Sequence, residues 1–265
     1  MSTNRTRLRV ILPSVAALIG LATVAGVSNA QGVDLARTAA STGSAACPLP
    51  VFGPGADYKP TIRPEDFGPD VTNPYFPLIV GKTYVYTGVK DGKTLIDIVV
   101  ATSRTRVIDG VTTRVVEDRG YLDGVLEERT ADYYAQDRCG NVWYFGEDTA
   151  TLDRRGHVID TEGSFHAGVH GAQPGVFMQA NPELGRWFRQ EWFAGHAEDT
   201  FRAVDRSVPI SVPFGSFHSA LRTQERTALE PGVLDQKYYV RGVGEVFEGA
   251  LRGPKEILRL VEIIS

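Results

Sequence analysis

Two carboxylates lie beside aromatic residues in a pattern that could support acid–base chemistry. Glu147 lies in the run WYFGED of residues 143–148, and Glu191 lies in the run RQEWF of residues 189–193. Burial among apolar side chains raises the pKa of a carboxyl, so that it can exchange a proton near neutral pH. Both residues are therefore candidate catalytic groups of a hydrolase or isomerase. The competing interpretation is structural, because Arg189 stands two residues before Glu191 and would share its strand face.

The histidines raise the possibility of a metal site. His166 and His170 are four residues apart, a spacing that places two imidazoles on one face of a helix. Gly168 and Gly171 argue against a helix there. The further ligands that such a site would need come from His157, Glu162, Glu191, His196 or His218. We therefore expect surface or loop histidines, and neither a metal nor another cofactor.

Aromatic residues recur at strand spacing and could line an apolar pocket. Aromatics at this spacing also build ordinary hydrophobic cores, which is the competing interpretation. As a group they favour a cavity that takes a small apolar or lipid-like molecule. The residues concerned are Trp143, Phe145, Trp187, Trp192 and Tyr239.

The first 30 residues have the pattern of a secretory signal peptide. Arg5, Arg7 and Arg9 precede an apolar run over residues 15–27, and the small residue Ala30 provides a cleavage site. A retained membrane anchor is the alternative, although the run is barely long enough to span a bilayer. The sequence thus predicts a secreted protein, extracellular or periplasmic, without a membrane span after cleavage.

Export bears on the two cysteines and on the charge. Disulfides persist in oxidising compartments, so we expect Cys47 and Cys139 to be paired rather than catalytic.

The chain has a net charge of −4, and its first 30 residues hold three arginines and no acid. The mature chain is therefore more acidic still, which argues against a nucleic acid as its partner.

The elements that must position these residues follow a clear order along the chain. Residues 31–46 are small and polar, and predict a flexible leader. Residues 47–80 are rich in proline, which excludes regular helix and central strand and predicts an extended strap. Residues 81–265 predict an antiparallel β domain.

Turn signals divide the β domain into strands. Asp-Gly between alternating runs is a strong hairpin signal, because a type I′ turn needs positive φ at both central residues. The predicted turns are Asp91-Gly92, Asp109-Gly110, Asp123-Gly124, Gly140-Asn141 and Arg155-Gly156. Their intervals imply strands of about 10–14 residues, longer than usual. The fold predicted is all-β, a long-stranded antiparallel meander that curves into a half-barrel or barrel. Residues 163–182 predict a long loop or lid, and residues 255–264 a terminal strand.

Four stretches of the chain carry a resemblance to known proteins. They are VTNPYFPLIVGKTYVY (71–86), YYAQDRCGNVWYFGEDT (133–149), GAQPGVFM (171–178) and LEPGVLDQKYYVRGVGEV (229–246). Together they resemble a family of uncharacterised exported bacterial proteins over nearly all of residues 71–264. The closing KYYVRGVGEV is also similar to the end of half-barrel domains related to periplasmic lipoprotein carriers. That likeness implies a curved antiparallel sheet that holds an apolar ligand.

The leading hypothesis is a non-catalytic binding or carrier protein for a small apolar or lipid-like molecule, held in a barrel-like cavity. An enzyme that uses Glu147 or Glu191 is one alternative. The other is an envelope or extracellular interaction module whose strap and loops form the contact surface.

Overall fold

The computed structural model describes residues 47–265, so the predicted signal peptide and leader lie outside the described residues. Within this range there are two short 3-10 helices, Gly55–Asp57 and Pro64–Asp66, and all other regular structure is β. The strands in chain order are β1 (Phe67–Gly68), β2 (Thr72–Asn73), β3 (Phe76–Pro77), β4 (Thr83–Lys90), β5 (Lys93–Ile108), β6 (Val111–Leu122), β7 (Val125–Asp137), β8 (Val142–Leu152), β9 (Val158–Asp160), β10 (Phe165–His166), β11 (Gln173–Met178), β12 (Trp187–Arg189), β13 (Glu191–Trp192), β14 (Asp199–Val212), β15 (Gly215–Thr227), β16 (Leu234–Val240), β17 (Gly244–Arg252) and β18 (Glu256–Ile264). No helix in residues 47–265 is long and apolar enough to cross a membrane.

One antiparallel sheet contains almost every strand. Its order is β12-β14-β15-β16-β17-β18-β4-β5-β6-β7-β8-β11-β13. The pairing of β18 with β4 joins two meanders: the first meander comprises β4 to β8, and the second meander comprises β14 to β18. The sheet curls into a barrel that is nearly closed, with one seam. The predicted all-β fold, a long-stranded antiparallel meander curved into a barrel, is confirmed. The central strands β5, β6, β7 and β8 have 16, 12, 13 and 11 residues, which agrees with the predicted long strands.

A single segment brings the two ends of the sheet together. β12 pairs with β14, and β13 pairs with β11, while Gln190 alone separates β12 from β13 in the chain. The Gln190 backbone N–H donates to the Asp199 carbonyl at 2.8 Å. Gln190 therefore marks the seam of the barrel.

The three Asp-Gly turns have the backbone conformation that the sequence predicts, whereas in Gly140-Asn141 and Arg155-Gly156 the glycine alone has positive φ. Asp91 and Gly92 have φ values of 47° and 82°, and Asp123 and Gly124 have 51° and 78°. Both pairs lie between consecutive antiparallel strands. The mid-strand alternation and these turns fix the register of the first meander.

The prediction of a loop over residues 163–182 is wrong for part of that segment. β11 lies within it and pairs with β8 on one side and β13 on the other. Gly175, which suggested a loop, is required by close packing instead. A Cβ added at Gly175 would lie 2.4 Å from the Arg189 carbonyl oxygen.

The inner face of the barrel is filled by side chains. Successive residues of a strand point to opposite faces, and the inner face carries a continuous apolar cluster. Tyr84, Leu95, Val116, Tyr134 and Leu258 are among its buried members. A second cluster lies beneath the proline-rich segment, where Phe67 packs on strand β8. The barrel thus has a packed interior and a separately covered outer patch.

The proline-rich segment is fastened to the barrel at several points. Cys47 and Cys139 form a disulfide, as the sequence predicts. Arg189 donates to the Gly53 carbonyl at 2.9 Å, and the Tyr58 hydroxyl donates to the Pro174 carbonyl at 3.1 Å. Covalent and polar contacts together hold the segment against strands β8, β11 and β12.

Candidate functional site

A lysine surrounded by carboxylates lies inside the barrel. Lys237 Nζ is 3.6 Å from Glu225, 3.8 Å from Glu245 and 3.3 Å from Glu248, and all four side chains are buried. Burial alone would lower the pKa of Lys237, but the three carboxylates raise it well above its ordinary value. Burial also raises the pKa of Glu245 to about 8, against the attraction of Lys237. The lysine is the positive centre of this acidic layer.

Two aspartates form a second buried group. Asp97 on β5 and Asp118 on β6 point inward and lie close enough to interact, and no donor group of residues 47–265 hydrogen-bonds to their carboxyl oxygens. Burial raises the pKa of Asp97 to about 7, although its interaction with Asp118 opposes this. Burial and then the charge of Asp97 raise the pKa of Asp118 well above its ordinary value. Two buried carboxyls close together cannot both ionise without strong repulsion, so the pair holds a proton at neutral pH.

The two carboxylates singled out from the sequence lie around the same pair of tyrosines. Tyr134 and Tyr144 are stacked, with ring centroids 4.9 Å apart. Burial raises the pKa of both hydroxyls, and the charges of Asp132, Glu147 and Glu191 raise it further. Glu191 is only 1% exposed, whereas Glu147 is half-buried. The structure therefore brings Glu147 and Glu191 to one region of the barrel.

A third carboxyl completes this region. The Tyr144 hydroxyl donates to Asp132 Oδ1 at 2.6 Å. Burial raises the pKa of Asp132 to about 7, while this hydrogen bond lowers it. A carboxyl that titrates near neutral pH can act as a general acid or base, provided that a substrate reaches it.

A cleft on the outside of the barrel has the dimensions of a ligand site. Its volume is about 400 Å³, and it lies between the proline-rich segment and the end of strands β7 and β8. Its apolar walls include Leu49, Tyr58, Phe67 and Trp143. The disulfide partner Cys47 lies at its edge.

Polar contacts hold the rim of this cleft in place. Trp143 Nε1 donates to Asp137 Oδ2 at 3.1 Å, which fixes the indole. Asp137 also accepts from the backbone N–H groups of Cys139 and Asn141, both at 2.9 Å. On the opposite side, Asp66 accepts from Arg138 at 2.6 Å. The wall of the cleft is preorganised by these bonds.

The predicted aromatic ligand-binding residues do not share one cavity. Trp143 borders the cleft, and Phe145 is buried behind it against Phe67, with ring centroids 5.4 Å apart. Tyr239 is buried on the inner face of the barrel. Trp187 lies on the outer surface, and Trp192 packs its indole onto Gly55. Trp143 alone among the five faces the cleft.

His166 and His170 line a small pocket of about 170 Å³ together with Asp148. His166 Nε2 lies 3.0 Å from Asp148, which also accepts from Tyr133 at 2.6 Å and Arg106 at 2.5 Å. Although partial burial opposes it, these partners lower the pKa of Asp148.

Other predicted metal ligands have separate roles. His157 pairs with Asp153 at 3.2 Å and His196 with Glu162 at 3.1 Å. Within residues 47–265, one group of three possible ligand atoms lies close together, formed by Cys47, Asp137 and Cys139. Its two sulfurs are already bonded to each other.

The sequence analysis missed the buried residues Asp97, Asp118, Asp132 and Lys237. A signal for Asp97 was present, since it shares the inner face of an apolar run with Leu95 and Val99. A charged residue at a core position of an alternating strand must find a partner or a proton. Its partner Asp118 comes from another strand, and nothing local in the sequence identifies that pairing.

No known protein family matches the chain, and no curated protein matches it. Two solved structures are similar over 72% of this chain. One is a candidate exported protein with a YmcC-like fold from Bacteroides fragilis, at 14% identity and a TM-score of 0.43 over 99% of that chain. The other is a candidate lipoprotein from Parabacteroides distasonis, at 10% identity and a TM-score of 0.39 over 98% of that chain.

Proposed function

We propose that this protein is an exported binding protein for a small apolar or lipid-like molecule, and that the ligand occupies the cleft beside Trp143. The observation that carries the proposal is a preformed cleft of about 400 Å³ with aromatic walls. Ligand sites are usually concave, largely apolar and several hundred Å³ in volume. The signal-peptide pattern supports export, with cleavage after Ala30 and a mature chain made of leader, strap and β domain.

This proposal places the ligand outside the barrel rather than within it. Acidic groups such as Asp97, Asp118 and Glu245 occupy the inner face. The binding free energy of an apolar molecule is most favourable where it removes apolar surface from water without covering unpaired polar groups. Leu49 and Phe67 offer that surface in the cleft, with the edges of the nearly buried Tyr58 and Trp143, and its charged lining residues, such as Asp66, are held by ion pairs and hydrogen bonds.

The fluorescence of Trp143 tests the proposal, because the chain has three tryptophans. A reporter that keeps only Trp143 carries Trp187→Phe and Trp192→Phe. Its matched control keeps only Trp187 through Trp143→Phe and Trp192→Phe. Titration with decanoate or a longer fatty acid should change the Trp143 emission saturably and leave the Trp187 control unchanged. No response of the Trp143 reporter, or equal responses of both, would contradict ligand binding in the cleft.

A second candidate function is an enzyme that uses the inner carboxyls. The observation in its favour is the convergence of Asp132, Glu147 and Glu191 around Tyr134 and Tyr144. Glu191→Gln should abolish turnover of an ester or glycoside substrate while the fold is retained. If a broad substrate screen finds no turnover by the wild-type protein, this candidate is rejected.

A further inference from the structure

The outer surface of the second meander carries a row of arginine and aromatic side chains, here called the arginine face. Its members alternate along their strands with buried inner residues such as Ala203, Lys237 and Leu258, so they point outward. The arginine face comprises Trp187, Arg202, Arg226, Tyr238, Phe247 and Arg259.

The register of the sheet places these residues in two groups, with the outward side chains of Arg222, Gln224 and Gln236 between them. Trp187 is opposite Arg202, and Tyr238 is opposite Phe247, which is opposite Arg259. From β12 to β18 the sheet order crosses five strand spacings. Because neighbouring strands are about 4.8 Å apart, the arginine face extends over about 24 Å.

Aromatic rings hold the guanidinium groups in position. The guanidinium carbons of Arg226 and Arg202 lie 4.0 Å and 4.8 Å from the Trp187 ring. Arg202 Nη2 also donates to Gln224 Oε1 at 2.7 Å. At the other end, the Arg259 guanidinium lies 5.7 Å from the Phe247 ring. Stacked arginines lose less conformational freedom when they bind, since their planes are already oriented.

The arginine face is positively charged without internal compensation. Arg202, Arg226 and Arg259 form no ion pair with any carboxylate of residues 47–265. By contrast, Arg104 and Arg119 on the first meander both pair with Glu117.

The acids of the same strands do not neutralise the arginine face. Glu225, Glu245 and Glu248 point into the barrel toward Lys237. Two outer acids flank the arginine face two register positions away: Asp205, which accepts from the Ser207 backbone N–H at 2.9 Å, and the exposed Glu262, and neither forms an ion pair with Arg202, Arg226 or Arg259. On a chain of net charge −4, this face is therefore complementary to a polyanion.

We propose that the arginine face binds an acidic polysaccharide. Planar guanidinium groups match carboxylate or phosphate substituents in a bidentate geometry. Tyr238, which packs edge-to-face against Phe247 and is half-exposed, offers apolar ring surface to a sugar between the two arginine groups, and the length of the face suits an extended polymer. A membrane is a poorer fit, because Trp187, Tyr238 and Phe247 are half-buried among their neighbours rather than projecting. This site is distinct from the cleft and does not depend on a ligand there.

Polygalacturonate tests the proposal at about 10 mM ionic strength, where exposed charges interact over about 30 Å. Neutral dextran and phosphatidylglycerol vesicles are the comparison ligands. The test variant is Arg202→Gln with Arg226→Gln, and the matched control is Arg104→Gln with Arg119→Gln. Each pair removes two surface arginines, so both variants change the net charge equally. Thermal unfolding checks that each variant is folded.

Wild-type protein and the control variant should bind polygalacturonate and not dextran. The test variant should bind at least about tenfold more weakly and with less dependence on salt concentration. Arg202→Lys with Arg226→Lys should restore only part of the affinity, since lysine does not stack or bind bidentately. Absence of binding to polygalacturonate would overturn the proposal, as would equal losses in the test and control variants. Binding to the vesicles alone would assign the arginine face to a membrane and overturn it too.

Discussion

Asp97 and Asp118 are diagonal neighbours on adjacent strands inside the barrel, since Asp97 is opposite Gly120 and Asp118 is opposite Val99, and their buried carboxyls interact. Asp97 is fully buried and Asp118 is 3% exposed. Neither carboxyl has a lysine or arginine among its main electrostatic neighbours, so a proton must compensate their charge. The stability of the folded barrel should therefore depend on pH through this pair.

We expect the protein to be more stable in mild acid than in mild base. The folded-state pKa values of Asp97 and Asp132 are raised to about 7, and that of Glu245 to about 8. A raised carboxyl pKa means that the folded state binds protons more tightly than the unfolded state. Stability is therefore greatest below pH 4 to 5 for these groups and declines as pH rises towards their folded-state values. Each contributes up to about 1.4 kcal/mol per pH unit in that window.

Urea unfolding between about pH 5 and pH 8.5 measures this dependence. The unfolding free energy should fall over that range, most steeply between the unfolded-state and folded-state pKa values, and should level off once the pH passes the folded-state values. A stability that rises with pH over the same range would show that the inner carboxyls are ionised and compensated in the folded protein.

Asp118→Asn should stabilise the protein at pH 8 and flatten its pH dependence. The asparagine amide can donate to Asp97, so the pair no longer needs a proton. We expect a gain of about 1 kcal/mol or more in the unfolding free energy at pH 8, and little change at pH 5. Glu117→Gln is the control, because it removes only the partly exposed partner of Arg104 and Arg119 and should change stability by less than about 1 kcal/mol. A loss of stability in Asp118→Asn at pH 8 would contradict the shared proton.

Lys237→Met should destabilise the protein strongly at neutral pH. The substitution leaves Glu225, Glu245 and Glu248 without their shared cation, and removing one partner of a buried ion pair costs about 3–5 kcal/mol. The loss should shrink towards pH 5, where the carboxyls take up protons. Lys93→Met on the exposed turn of the first hairpin is the control. Equal unfolding free energies for Lys237→Met and wild type at pH 7 would refute the role of Lys237 as the positive centre.

Loss of the disulfide should affect stability and ligand binding together. Cys47 and Cys139 are 92 residues apart in sequence. In the chain-entropy model, a loop of this length stabilises the folded state by about 4–5 kcal/mol. The double substitution Cys47→Ser and Cys139→Ser should lower the midpoint of urea unfolding, and it should weaken ligand binding because one wall of the cleft is released. If the double variant folds and its affinity for the ligand is unchanged, the prediction that the disulfide supports the cleft wall is wrong.

Several features of the fold were predictable because their cause is local. Asp91-Gly92 and Asp123-Gly124 indicate hairpin turns, because Asp and Gly tolerate the positive φ that such turns require. The continuous alternation between those turns indicates long strands with one buried face. The seam at Gln190 was not predictable, since it depends on which distant strands β12 and β13 pair with.

The candidate sites also combine features that are local in the sequence with features that depend on distant segments. Trp143 was singled out for its aromatic neighbourhood, and its position at the cleft depends on Phe67 and the segment after Cys47. Gly175 suggested a loop by composition, although close backbone packing is what requires glycine there. The convergence of Glu147 and Glu191 around Tyr144 comes from barrel closure, which brings β8 and the seam together.

Native mass spectrometry of the protein tests the central claim most directly. Thr61 lines the cleft and is exposed, so Thr61→Trp should fill it, whereas Thr112→Trp makes the same change at an exposed site elsewhere. Protein purified under mild conditions should carry an additional mass that organic extraction identifies as an apolar molecule. Wild type and Thr112→Trp should both retain it, and Thr61→Trp should lose it. If all three proteins show the bare polypeptide mass, and added fatty acids bind to none of them, the binding function proposed for the cleft is contradicted.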